Sequence, residues 1–533
     1  MTQGTTGAPS PGPARASGRA AAHLPAPGHR QVEVPPLGCG GLVVCRTAAE
    51  QEQADFAFLR AAYGDSLVPW EQRPDLRTVD DVLAYLARRA LPGSEALALK
   101  RRMVADLAAR AGAYKLGLLD RVLQESGFWE ALERRLEASG KPRSEFLVLI
   151  KPNTMMVWAR YSEDPANATD PELVLHLVDR LQERGFPRVV VAEAQNNYSH
   201  WYYIHDPDRG RTVVEVHRWE GIGYPVDEAG HSVDPKGRRD GRFRVVDLTE
   251  EAEGHAGAFA EDLCFIPRTS LRRYLHWCLP CPKRVRLGEH PLAPTLRDAD
   301  FRISFAANKT HTSCYNTLTL KNVYGCLPYA NKFLEYHDKR EFDWPTIVLL
   351  REFPFHFGVI DAIFSADGVL GFKADYFPRM TRTIIAGEDL VAVDVVGSLK
   401  MGLDPLRSRL IWLAAQVFGF PVERTEWRAD DKEPYPGWIN VPRRYDWVQY
   451  WGENWYWISR YLGQATSEMD PHFRPRPAAT EEATRPAQRL YQALIRPALN
   501  ITEGFGRKPR WRWLWQAIDK PATLRRRYPR LYR

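Results

Sequence analysis

The sequence predicts an α/β protein on a mostly parallel, layered sheet, with a helical N-terminal module and an irregular, aromatic-rich C-terminal extension. Three observations predict it. Residues 145 to 193 read as strand, capped helix, strand; apolar runs at 301–307, 357–363 and 383–386 recur between helical stretches; and 44% hydrophobic with 26% charged residues is the balance of a chain that buries a sizeable core. Strands alternating with helices favour parallel pairing, because each crossover helix must lie on a face of the sheet.

Residues 1 to 30 are rich in Pro, Gly and Ala, with too little apolar surface to offset the entropy of ordering, and are expected to be disordered. From 45 to 142, apolar residues return every three or four positions in DFAFLRAAYG, DDVLAYLARRAL, EALALKRRMVADLAARAG and GLLDRVLQESGFWEALERRLEASG. That period predicts helices packed on the core. The α/β core is expected over 145–420. Phe146 to Ile150 is an unbroken apolar run, as in a strand covered on both faces, and ends in Lys151-Pro152-Asn153. Thr169 and Glu172 have capping-box spacing, Pro171 suits a first turn, and Val174, Leu177, Val178 and Leu181 form a stripe ending near Gly185. Val189 to Ala192 is a second strand leading to Glu193, so a right-handed parallel crossover is expected.

Residues 200 to 300 lack sustained periodicity and read as an insertion. The core resumes at Phe301 to Ala307, followed by a polar turn and a helix closing at Gly325. Phe357 to Ile363 and Thr383 to Ala386 are further strands, the second leading through Glu388-Asp389 into a helix from Leu390 to Met401 that Gly402 ends. Residues 425–533 form the aromatic and basic extension.

Seven cysteines, odd in number and unevenly spaced, make no disulfide framework and point to a reducing cytoplasmic compartment. The first thirty residues hold no apolar signal region, and no run approaches the roughly 18 apolar residues of a membrane span, so neither export nor insertion is expected. The net charge of +7 is concentrated between Arg507 and Arg533, where Asp519 is the one acid. Such a tail suits contact with nucleic acid or an anionic membrane surface. No nucleic-acid fold signature accompanies it, and the plainer reading is a solvated tail whose aromatic rings dock on the core.

In open α/β sheets ligands bind beyond the carboxyl ends of the strands. Those positions hold Lys151 and Asn153; Glu193, Gln195, Asn196 and Asn197; Asn308, Lys309, Thr310 and His311; and Asp361 and Asp367. Asn308 to Ser313 is the most pointed: a strand end, hydroxyl residues and a helix start would place backbone N–H groups beside a lysine, which is what an oxyanion needs. His311, titrating near neutral pH, can move a proton. The plainer reading has Thr312 or Ser313 merely capping a helix, with Lys309 solvated. Lys321 and Asn322 return to the site if the intervening helix runs antiparallel to the strand. His311, Lys309 and Glu193 are therefore the catalytic candidates, with Lys151, Asn153, Asn308, Thr310, Lys321 and Asn322 binding substrate.

Asp361, Asp367 and Asp394 are candidate ligands for a hard divalent cation. Asp394 lies among apolar residues and must meet a partner, more often an arginine or a loop N–H than an ion. Cys278 and Cys281 have the spacing of half a metal site or a redox pair, but no second pair follows, and two incidental cysteines are the plainer account. Phosphate-loop, dinucleotide-binding and nucleophile-elbow motifs are missing. The site as read is that of an enzyme acting on a small anionic metabolite, carboxylate or phosphate, by acid/base chemistry with or without a divalent metal. The alternative is a non-catalytic ligand-binding protein or an iron–sulfur redox partner.

Four stretches in order, VLIKPN (148–153), TDPELVLHLVDRLQERGFPRVVVAEA (169–194), NKTHTSCYNTLTLKNVYGCLP (308–328) and IIAGEDLVAVDVVGSLKMGLDP (384–405), resemble the uncharacterised family known as domain of unknown function 362. The resemblance spans about 145 to 410. It implies that Lys151, Pro152, Asn153, Lys309, His311, Lys321, Asn322, Gly325, Asp389 and Asp394 hold the family's signature positions, and it supplies no reaction. Many members carry a ferredoxin-like module, which implies an iron–sulfur role for them. This chain has no C-x-x-C-x-x-C run, so the cluster is not expected here.

Overall fold

The computed structural model describes residues 37–87, 94–154, 168–194, 226–252 apart from 228 and 235, 292–311, 314–328, 343–367, 378–438 and 521–533. Residues 89, 165 and 166 and two short strand pairs, His205–Asp206 with Arg211–Thr212 and Asp262–Phe265 with Lys283–Arg286, are also described. The expected disorder of residues 1–30 lies outside them, as do the aromatic residues Trp447 to Trp457 and Trp511 to Trp515.

The chain opens with strand β1 (Gly41–Thr47) and helices α1 (Gln51–Ala62), α2 (Val79–Ala87), α3 (Glu95–Ala111), α4 (Lys115–Glu125) and α5 (Phe128–Ser139). Next come β2 (Val148–Pro152), α6 (Pro171–Glu183), β3 (Val189–Glu193), β4 (His231–Val233), β5 (Arg239–Asp247), α7 (Leu248–Ala252) and α8 (Pro294–Asp298). The second half holds β6 (Phe301–His311), β7 (Tyr315–Thr317), α9 (Thr319–Val323), α10 (Asp343–Glu352), β8 (Phe357–Ala366), β9 (Pro378–Gly387), α11 (Leu390–Lys400), α12 (Arg409–Val417), β10 (Thr425–Ala429) and α13 (Pro521–Arg527).

Among the described residues ten strands make one mixed sheet in the order β10-β1-β9-β8-β6-β2-β3-β5-β4, with β7 paired to β6. The run β8-β6-β2-β3-β5 is parallel throughout, and β10 is parallel to β1. Antiparallel pairs join β9 to both β8 and β1, β4 to β5, and β7 to β6. The sheet is thus mostly parallel, as its alternating elements predict, but Thr383–Ala386 belongs to a strand that runs against its neighbours. Two strands escape the sequence pattern altogether. β10 pairs with β1, and β1 with β9, partners far apart in the chain, so no local repeat announces them. The segment read as an insertion also adds β4 and β5 to the sheet.

Alternate strand residues feed two cores, as the two-residue period requires. One face packs Val148, Ile150, Val359 and Ile384 against helices α1 to α6. The other packs Leu149, Ile360 and Ile385 against α7 to α12 and the docked α13. Full burial of each such side chain is worth about 1.5–3 kcal/mol, so the sheet is held by many small terms. No helix among the described residues is long and apolar enough to cross a membrane.

α6 forms as its stripe predicts, with Leu173, Val174, Leu177, Val178 and Leu181 buried. Its cap differs from the predicted capping box. Asp170 is the N-cap and accepts from the Glu172 amide, while Thr169 is drawn into the sheet by other partners. The stretch after Ala307 is also corrected: Asn308 to His311 continue β6 and turn back into β7, so no helix begins there. The helix that follows, α9, has five residues. At the far end, Leu524, Tyr528 and Leu531 are buried, and Asp404 accepts from Arg527 and the Tyr528 hydroxyl, which docks the basic terminus on the core.

Candidate functional site

The strand order reverses between β2 and β6. From β2 the chain moves outward through β3 to β5, then returns to place β6 on the other side of β2 and continues to β8. α6, after β2, covers one face, while α9 and α10, after β6, cover the other. Connections that leave adjacent strands in opposite directions open a crevice at their carboxyl ends. β2 ends there in Lys151-Pro152, followed by Asn153, and β6 ends in Lys309-Thr310-His311.

Side chains from several elements meet at this point. Lys151 is 1% exposed, and its ammonium donates to Pro152 O at 2.6 Å, Glu193 Oε2 at 2.8 Å and Asn322 Oδ1 at 3.3 Å. An ammonium has three N–H donors, and all three are engaged within the protein. Lys151 therefore holds Glu193 and Asn322 in place. Glu193 Oε2 also accepts from the Thr154 amide and hydroxyl at 3.3 and 3.1 Å. Asn322 donates to Lys151 O at 2.7 Å and Ser304 Oγ at 3.2 Å, so α9 is tied to both β2 and β6.

Lys309 donates to Asn153 Oδ1 at 2.9 Å, and this bond joins the ends of β6 and β2 at the strand-order reversal. Lys321 lies over the Tyr324 ring, 3.9 Å from its centroid. His311, half-buried, is held well below the ordinary imidazole range, first by desolvation and then by the charges of Lys321 and Lys309. It is neutral at pH 7. Opposite it across the hairpin, Tyr315 adopts φ 70°, a left-handed conformation uncommon for a bulky residue. Gly325 closes over the ion pair. A Cβ there would sit 2.4 Å from Glu193 Oε1 and 2.6 Å from Lys151 Nζ, and the Gly325 carbonyl accepts from Ala194 N.

The predicted residues thus divide. Lys151, Asn153, Glu193, Lys309, His311, Lys321 and Asn322 come together. Asn308 and Thr310 are buried in the sheet, donating to Ser365 Oγ and Ala366 O. The three aspartates read as candidate metal ligands enter three separate networks. Asp361 accepts from the Asp170 and Ile363 amides, Asp367 pairs with Arg379, and Asp394 accepts from Thr319 and Leu320. Asp394 found N–H and O–H donors, as its apolar setting requires. Among the described residues no three His, Cys, Asp or Glu side chains gather at metal-binding spacing. Cys278, Cys281, Gln195, Asn196, Asn197, Thr312 and Ser313 lie outside the described residues. Thr154 and Thr169 are not among the predicted site residues: the sequence places Thr169 in a capping box, and Thr154 directly follows the flagged Lys-Pro-Asn.

Fold and site define a layered α/β protein with a lysine-rich polar cluster where its strand order reverses. Residues 271–398 match the family described as Domain of unknown function (DUF362), so that stretch is similar to this family. The matched stretch holds Lys309, His311, Lys321, Asn322, Gly325, Asp389 and Asp394, and begins after Lys151 to Asn153. No curated protein and no solved structure matches the chain.

Proposed function

We propose that the protein is an enzyme acting on a small anionic metabolite, a carboxylate or a phosphate, bound in the crevice between β2 and β6. The observation that carries this reading is the Lys309–Asn153 bond across the strand-order reversal, beside Lys321 and His311. The Asn153 carboxamide orients Lys309, the Asn322 carboxamide contributes to orienting Lys151, and Lys321 stands over the Tyr324 ring. An anion is favoured where cations are held by neutral acceptors. Lys309 and Lys321 bind the anion, neutral His311 takes a proton from the substrate and, as the imidazolium so formed, returns it at another atom, while the Glu193 carboxylate, fixed by Lys151 and Thr154, stays ionised and orients the cluster.

A panel of small carboxylates and phosphates, followed by NMR for turnover, tests the reading. Lys309→Met and His311→Asn should each lower turnover by about 10²-fold or more while leaving the melting temperature nearly unchanged. The acidic limb of the rate profile that His311 governs should fall below the ordinary imidazole range. If both substitutions unfold the protein, the cluster is structural and the proposal fails.

A further inference from the structure

The hydrogen bonds of Asp361 go to backbone amides and not to the side chains of the cluster, yet hydrogen bonds and one peptide link join it to them. It lies on β8, next to β6, and is 2% exposed. Its Oδ2 accepts from the Asp170 amide at 2.8 Å and its Oδ1 from the Ile363 amide at 3.1 Å. The neighbouring Thr169 binds Asn153 twice: its amide donates to Asn153 O at 2.9 Å, and its hydroxyl accepts from Asn153 N at 2.8 Å. The same hydroxyl donates to Phe305 O at 2.7 Å, on the strand that carries Lys309. Asn153 in turn holds Lys309. A shift at Asp170 must therefore move Thr169, and Thr169 cannot move without Asn153.

We infer that Asp361 is a positioning residue for the anion crevice: through the Asp170 amide and Thr169 it fixes the Asn153 carboxamide that aims Lys309. This inference rests on the proposed anion-binding reading. The charged groups facing Asp361 are Asp170, which repels it, and Lys115, which Asp170 and Glu172 both engage. Burial, with the Asp170 charge second, pushes the Asp361 carboxyl up to about 7. The link accordingly changes charge near neutral pH.

Electrostatics and positioning predict opposite signs. Removing a negative charge near a cation cluster should tighten anion binding by Coulomb attraction alone, whereas loosening Asn153 should weaken it. Sulfate is a suitable probe, because its charge is constant from pH 6 to 8. Calorimetric titration of the full chain should show wild-type affinity rising with pH through about 7. Asp361→Asn should bind about 5-fold more weakly or worse at pH 8, without the pH dependence, and Lys309→Met should not bind at either pH. Unchanged or tighter sulfate binding by Asp361→Asn, with Lys309→Met inactive, overturns the positioning role and leaves the anion site standing. Should wild type and Lys309→Met behave alike, the anion reading fails, and amide NMR decides the link by itself. The Asn153 resonance should titrate in wild type and not in Asp361→Asn, and an Asn153 amide indifferent to pH overturns the inference.

Discussion

Arg379 and Arg382 on β9 bind the N-terminal helices, whereas Lys151, Lys309 and Lys321 gather where β2 meets β6, and the two groups of cations are balanced differently. Arg382 meets Asp55 at 3.0 Å and Glu52 besides, and Arg110 binds the other oxygen of Asp55 at 3.0 Å. Arg379 meets both Asp367 and Asp80 at 2.9 Å. Each of these guanidinium groups finds carboxylates, with the planar donor fork matched to them. In the lysine cluster Glu193 is the one carboxylate among the described residues, and the amides of Asn153 and Asn322 supply further acceptors. A network that only locks helices onto a sheet gains from neutralising its charges. On the proposed reading, the lysine cluster gains instead from orienting its cations toward an incoming anion.

Three substitutions test the contrast. Arg382→Met would leave Asp55 buried against Arg110 alone and should destabilise the fold by about 3–5 kcal/mol in urea denaturation, with sulfate binding by the remaining folded protein unchanged. If sulfate binding weakens together with stability, the two networks are not separate. Gly325→Ala should cost about 1–3 kcal/mol, because its methyl group would intrude on the Lys151–Glu193 pair, and here anion binding should fall as well. Full retention of binding would show that the pair does not organise the crevice.

The smallest effect concerns Asp394, which caps α9, the helix carrying Lys321 and Asn322. Burial pushes its carboxyl up to about 7, above the unfolded value, so the folded state holds the proton more tightly. Its contribution is present at low pH and is lost as pH rises from the ordinary carboxylate range through about 7, with a slope of at most about 1.4 kcal/mol per pH unit. Asp394→Asn should flatten that part of the stability curve between pH 5 and 7.5. An unchanged slope would mean that Asp394 is ionised throughout.

Much of the site was readable before any geometry. Lys151, Asn153, Glu193, Lys309 and His311 are polar residues at or just past the ends of strands, and strand ends follow from where an apolar run stops. The roles were less readable. Lys151 and Lys309 look alike in sequence, each a lysine at a strand end, yet one holds Glu193 and Asn322 and the other reaches across to Asn153. Asp361 looks like a metal ligand by type and place, and the sequence around it gives no sign of its partners in the fold, the Asp170 and Ile363 amides.

The sequence by itself determined what depends on near neighbours in the chain: the α/β class, the βαβ unit from 146 to 193, the apolar stripe of α6 and the run of α11. Periodicity, capping and side-chain type act over a few residues, so they leave a local mark. The tertiary structure decided which strands lie side by side, that β1 and β10 complete the sheet, that β6 extends to His311, and that the order reverses between β2 and β6. Most of those choices are settled by contacts between residues tens to hundreds of positions apart, and a hydrogen-bond partner found at that distance has no signature in the residues on either side of it.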